Sequence, residues 1–354
     1  MKRMIAIGAL ALFAASCASN PQPALLAPAT YSNPVLDADF PDPAIMLAPD
    51  GYHYAYATQT DRAGTMVNIQ VARSRDLMKW QYLGDALPAK PTWASKTQDF
   101  WAPHVHRDRN RYLMYYSAKP DAALTDEKKG LCLAVATGTS PAGPFTDIGQ
   151  PLKCGDSFVE IDPFAYDDPD TGKRLLYWGS GFRPIKVQEL APDRTAFAPG
   201  SAPVDLVSPN PTKDAFPVLI EGAWVLRRGG YYYLFYSGDN CCGAKANYAV
   251  MVARSRSATG PFETLEQATG APHSIILARS GYWVAPGHNS IVTDARGGDW
   301  IVYHAVDARN PRGKPKDDIN TRRIMLVDRI VWRDGWPTVD GPSAERKPAP
   351  QLSN

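Results

Sequence analysis

The chain has 354 residues, including 32 Pro, 27 Gly and 17 Tyr, and 21% of its residues are charged. That mix suits many short strands joined by turns and excludes a helical bundle. A net charge of +2 gives no reason to expect nucleic acid as a partner, and beyond the N-terminus no apolar run is long enough to span a membrane.

Lys2 and Arg3 precede an apolar run from Met4 to Ala15, and "AASC" then ends at Cys17. Residues 1–17 read as an export signal, too short and wrongly flanked for a mature spanning helix. The small residues before Cys17 resemble a bacterial lipoprotein processing site, with Ala14 where Leu is usual. Ordinary secretion is the alternative. The expected location is a lipid anchor at the outer membrane, which Ala18 favours, or otherwise the periplasm or the exterior. Residues 18–32 read as a flexible tether.

From residue 33 onward one pattern returns at a period of about sixty residues. A short aromatic strand, "GYHYAYAT", is followed by an alternating run, "VNIQVARSRD". The order recurs from "RYLMYYSA", "GKRLLYWGS", "GGYYYLFYSG" and "GGDWIVYHAVD". Before each aromatic strand lies a shorter one with a distinct lead-in: "FPDPAIM", "FWAPHVH", "EIDPFAY", "IEGAWVL" and "PGHNSIV". Five units of about four strands describe an all-β, five-bladed β-propeller over 33–341, with 342–354 as a C-terminal tail. A pair of β-sandwiches would not need a regular period.

The first strand of each blade lines the central channel, so the lead-in residues Asp42, Trp101, Asp162, Glu221 and His288 are expected at one mouth of it. An Asp before Pro commonly caps a turn. Three acids at repeat positions directed to one axis point instead to chemistry, and facing carboxylates are the working parts of glycosidic hydrolysis. Glu221 has the longer reach and apolar neighbours in Ile220 and Trp224, which suits a proton donor. Asp42 suits a base, and Asp162 suits a group that raises its neighbour's pKa by like-charge repulsion. A propeller lectin is the reading from another class, but it would repeat one pocket per blade, and these five positions differ.

The ordered motifs from "NPVLDADFPDPAI" through "DFWAP", "EIDPFAYDDPDTGKRLLYWGS", "IEGAWVLRRGGYYYLFYS" and "APGHNSIV" to "RIVWRDGWPTV" resemble glycoside hydrolase family 43. The resemblance implies a five-bladed propeller enzyme acting on arabinan, xylan and related plant pentose polysaccharides, with inversion of configuration. It implies Asp42 as general base, Asp162 as pKa modulator and Glu221 as general acid. His288 corresponds to the residue near a channel cation, often calcium, in several relatives; a histidine hydrogen-bonded to the acids is the alternative. Arg323 matches an arginine that contacts sugar hydroxyls in exo-acting relatives, or else is a surface charge on the last blade. Trp101 and Asn289 are further candidates for substrate contact. One departure is His104, where many relatives carry a carboxylate after "WAP". The chain ends soon after the fifth blade, without the appended β-sandwich of many xylosidase relatives. The expected substrate is therefore an arabinan with α-1,5-L-arabinofuranosyl linkages, cut in endo or exo fashion. The alternative is a β-xylosidase or arabinofuranosidase on xylan fragments. The protein is expected to be a monomer without an organic cofactor.

Four cysteines remain after Cys17, and an exported chain meets an oxidising compartment. Cys132 and Cys154 flank a strand and a turn of blade 2. Cys241 and Cys242 are adjacent in a loop of the blade that carries Glu221. The expected pairing is Cys132–Cys154 and Cys241–Cys242, the latter a rigid apolar platform for a sugar ring. Cross-blade pairing and free thiols are the alternatives.

Overall fold

The computed structural model describes residues 29–212, 216–243, 245–311 and 321–352. The export signal and Cys17 lie outside the described residues, as does most of the tether. Among the described residues no helix is long and apolar enough to cross a membrane.

Five antiparallel sheets follow one another along the chain, as the repeat predicts. Their inner strands are Ala44–Leu47, Trp101–Asp108, Phe164–Asp167, Ile220–Arg228 and Trp283–Thr293. Each pairs with the aromatic strand that comes next, at His53–Ala57, Arg111–Ala118, Arg174–Trp178, Tyr231–Gly238 and Asp299–Asp307. Blade 1 carries an extra hairpin, Thr60–Arg62 with Thr65–Val67.

The aromatic strands read as continuous apolar runs because both of their faces are buried. Successive side chains of a strand point to opposite faces. In blade 2, Tyr112, Met114 and Tyr116 therefore pack on blade 1, while Leu113 and Tyr115 pack on blade 3. In blade 4, Tyr232, Leu234 and Tyr236 face blade 3, and Tyr233 and Phe235 face blade 5. Blade 5 turns Trp300 and Val302 toward blade 1 and Ile301 and Tyr303 toward blade 4. The core is thus five interfaces between blades. Each fully buried aromatic contributes roughly 1.5–3 kcal/mol at such an interface.

The two ends of the described chain close the ring. Thr30–Tyr31 pairs with Lys347–Pro348, and Met325 O accepts from the backbone N–H of Val35 and Leu36. Asn33 donates to Val327 O and accepts from Val327 N–H. Ordered structure therefore reaches back into the stretch read as tether. The segment after 341 is packed on the fold, with Ser343 and Ala349 buried, rather than trailing from it.

Candidate active site

Each blade has a left-handed residue at or along its inner strand, Asp42 (φ 58°), Ala102 (45°), Asp162 (62°), Gly222 (66°) and His288 (47°), the last midway along Trp283–Thr293, where Ala285 (50°) is left-handed too. This series corrects the register read from the sequence, which aligned Trp101 and Glu221 with the two aspartates. Those residues precede the left-handed position by one. For a residue with a Cβ this conformation costs on the order of 1–3 kcal/mol and persists only where its surroundings hold it.

The holding device repeats from blade to blade. The backbone N–H of the left-handed residue donates to a side chain at the end of the preceding blade's aromatic strand. Ala102 donates to Thr58 Oγ1 (2.8 Å), Asp162 to Ser117 Oγ (3.1 Å) and His288 to Ser237 Oγ (2.8 Å). Asp42 closes the ring by donating to His304 Nδ1 (3.1 Å). The joint between blades 3 and 4 is the exception. There Gly222 N–H donates to Asp162 Oδ2 (3.1 Å), and Ser180, in the expected acceptor position, donates instead to Glu221 Oε2 (2.5 Å).

The three carboxylates are all buried, between 6% and 8% exposed. Asp42 receives Thr58 Oγ1 on Oδ2 (2.5 Å) and Arg323 Nη1 on Oδ1 (3.0 Å). Glu221 receives Tyr248 O–H on Oε1 (2.7 Å) as well as Ser180. Tyr248 in turn stacks flat on His304, with centroids 5.7 Å apart and an interplanar angle of 7°. Gly287 makes room for that ring, since a Cβ there would overlap Tyr248. His288 Nδ1 sits between two acids, 3.4 Å from Asp42 and 3.7 Å from Asp162.

These surroundings push the acids apart in proton affinity. Burial alone would raise Asp42, but the Arg323 guanidinium and its hydrogen-bond partners hold it well below the usual carboxylate range. The imidazoles add little charge, because burial pushes His288 down and His304 down to about 4. His304 Nδ1 already accepts the Asp42 N–H, so its proton sits on Nε2 and it cannot also donate to the Asp42 carboxylate. Asp162 is pushed well up by burial and by the charges of Glu221 and Asp42. Glu221 is pushed up by burial, against the opposing hydrogen bonds from Ser180 and Tyr248. One acid is thus set to be ionised while a neighbouring pair retains a proton, as acid–base chemistry requires.

A cavity of about 670 Å³ opens over this cluster. Asp42, Trp101, Asp162, Glu221, His288, Arg323 and the Cys241–Cys242 pair all line it, so eight of the sequence candidates converge here. Both expected disulfides are present. Arg323 is not a surface charge, because its side chain is 14% exposed and bonded to Asp42. Asn289 does not reach the cavity lining; it is buried, and both its amide atoms lack a partner. His104 also lies away from the cavity. Its Nδ1 accepts from Ala165 N–H, its ring packs on Phe164 and Trp224, and burial pushes it down to about 3. It is a neutral packing group, so it changes no charge at the pocket.

Sequence reading missed Thr58, Ser117, Ser180, Ser237, His304 and Tyr248. The first five had a signal, since a polar residue follows the aromatic run of each such strand in "YAT", "YYS", "WGS", "FYS" and "VYH". Tyr248 had none, because it reaches Glu221 from just before another strand of blade 4, Ala249–Ser255.

Calcium takes six to eight oxygen ligands. Among the described residues no group of three or more His, Cys, Asp or Glu side chains is arranged to hold a metal.

The family model for glycosyl hydrolases family 43 matches residues 31–337. The extracellular exo-α-(1→5)-L-arabinofuranosidase ArbA of Cellvibrio japonicus is 28% identical over 292 residues, covering 77% of this chain and 80% of that protein. The extracellular endo-α-(1→5)-L-arabinanase 1 of Bacillus subtilis is 26% identical over 347 residues, covering 95% and 98%. The crystal structure of a thermostable family-43 glycoside hydrolase superposes with a TM-score of 0.72 at 28% identity, covering 92% of this chain and all of that one.

Proposed function

Because the chain belongs to glycosyl hydrolases family 43 and is a glycoside hydrolase, we propose that it cleaves α-1,5-L-arabinofuranosyl linkages of arabinan or its oligosaccharides by single displacement with inversion. The observation that carries the mechanism is the split between an ionised Asp42 and a protonated pair formed by Asp162 and Glu221. The substrate rests on ArbA and arabinanase 1, whose names give that linkage.

Asp42 takes a proton from water as the water oxygen attacks the anomeric carbon. Glu221 gives its proton to the leaving glycosidic oxygen. The two side chains come from blades 1 and 4, which are not neighbours. Inverting enzymes need such a gap, roughly 6.5–9.5 Å, for the water. Asp162 and Glu221 repel when both are ionised, so the pair retains a proton for transfer, and Asp162 is itself oriented by Gly222 N–H. Trp101 and the Cys241–Cys242 pair offer apolar surface to the sugar.

Export agrees with the extracellular names of both relatives. The lipid anchor at Cys17 is tested by labelling cells with a radioactive fatty acid. A hydrated calcium ion near His288 would supply positive charge beside the acids, and calorimetric titration of chelator-treated protein with Ca²⁺ tests for it.

The deciding experiment pairs Asp42→Asn with Glu221→Gln. Each lowers turnover of the oligosaccharide by ~10²- to 10⁴-fold with the fold intact. An aryl glycoside with an activated leaving group restores Glu221→Gln and not Asp42→Asn. Equal rescue of both variants sinks the assignment.

A further inference from the structure

The ring of backbone-to-side-chain bonds is made at four joints and opened at one, and the opened joint is where the proton donor sits. We propose that Ser180 is a positioning residue for Glu221, released from its structural duty so that its hydroxyl serves the acid. This rests on the reading of Glu221 as proton donor.

The comparison with Thr58 carries the inference. Both hydroxyls end an aromatic strand and both touch a catalytic carboxylate. Thr58 accepts Ala102 N–H and donates to Asp42, so its hydroxyl is held between two partners. A fixed donor suits a base that stays ionised in the free enzyme. At Ser180 the corresponding N–H, that of Gly222, is turned to Asp162 instead. The Ser180 oxygen therefore keeps its lone pairs free as well as its proton. It can receive the proton of a neutral Glu221 and donate to an ionised one without moving. A group that changes protonation during the reaction is served by such a partner, and among the described residues Ser180 Oγ bonds to Glu221 alone, whereas Thr58 Oγ1 is shared with the ring.

Gly222 makes the diversion possible. It shares the left-handed φ of the other joints (66°), its N–H meets Asp162, and a Cβ there would press on the His288 ring at 3.3 Å. Ser180 is fully buried and Glu221 nearly so, which excludes competing water. Tyr248 holds the other carboxyl oxygen, so as the proton leaves, two hydroxyl donors face the developing charge. Preorganised donors of this kind lower the barrier because they need no rearrangement at the moment of reaction.

Ser180→Ala, and independently Tyr248→Phe in case the first variant folds poorly, test the idea in the full chain. Hydrogen bonds to charged groups suggest a kcat loss of roughly tenfold or more on an arabino-oligosaccharide, with KM unchanged. The alkaline limb of the rate profile moves up by about one pH unit, because the ionised form of Glu221 loses a donor. An aryl glycoside with an activated leaving group shows no loss. Equal losses on both substrates with the limb unmoved would reduce Ser180 to a packing residue and overturn the proposal, as would full activity. Failure of the same aryl glycoside to restore Glu221→Gln would instead overturn the proton-donor reading itself.

Discussion

Replacing Arg323 by Gln should convert a permanently ionised base into one that titrates in the working range. Arg323 Nη1 lies 3.0 Å from Asp42 Oδ1, and the charge centres are about 4 Å apart. At an effective dielectric of about 20 the attraction is roughly 4 kcal/mol, or about three pKa units at 1.36 kcal/mol each. With the side chain 14% exposed, screening by water trims this only partly, and a rise of about 1–3 units is expected. His288 and His304 are pushed down first by burial and in part by Arg323 itself, so its loss lets them offset only part of the rise. The sign follows from the role. A base must be ionised, so activity falls as pH drops through its pKa, and raising that pKa moves the acid limb upward. The assay is kcat/KM against pH for parent, Arg323→Gln and Arg323→Lys, with circular dichroism as the fold control. The limb should move up in the Gln variant and stay near the parent in the Lys variant. A higher KM with an unmoved limb would make Arg323 a sugar ligand with no hold on the base.

Two further outcomes follow from the same site. Asp162→Asn should move the alkaline limb down, because Glu221 loses a like charge, and it should also raise Tm. The folded pKa of Asp162 lies above its unfolded value, so its penalty grows as pH rises from the ordinary carboxylate range and vanishes below it. The Tm gain should therefore be a few degrees at neutral pH and absent near pH 4, and an equal gain at both would refute the electrostatic origin. Replacing Cys241 and Cys242 together by Ser should raise KM severalfold with little change in Tm. The same exchange at Cys132 and Cys154, which closes a separation of 22, should cost about 3 kcal/mol of stability and leave KM alone, and the reverse pattern would remove the platform from the reading.

The blades were legible because their cause is local. A strand buried on both faces must be apolar at every position, and "YYYLFYSG" or "GKRLLYWGS" cannot be explained by one buried face. The acids were legible because each sits at a repeat boundary. Their register was not, because a left-handed residue leaves no mark in sequence unless it is glycine. Asp42 and Asp162 stand at that position, whereas Glu221 and Trp101 stand one before it. Closure of the ring was illegible for another reason. Two-residue strands at opposite ends of the chain carry no period, and bonds across the join, such as those of Asn33 to Val327, leave no mark in sequence. Asn289 was assigned to substrate by its nearness to His288, but neighbours on a strand point to opposite sides.

Backbone strain at an active site invites the inference that the strain serves catalysis, and here the repeat argues otherwise. Ala102 holds the same left-handed conformation as Asp42 and Asp162 but carries no reactive group. The conformation is therefore a property of the propeller's inner strands, maintained by Thr58, Ser117, Ser237 and His304. Chemistry has been placed on a device that the fold already required. The glycine at 222 completes the argument. With no Cβ at the left-handed position, blade 4 presents its acid from the residue before, and the longer side chain of Glu221 covers the added distance. The N–H that would have closed the ring is then free to orient Asp162. The proposed proton donor and the released serine thus trace to one departure from the repeat, at one joint of five.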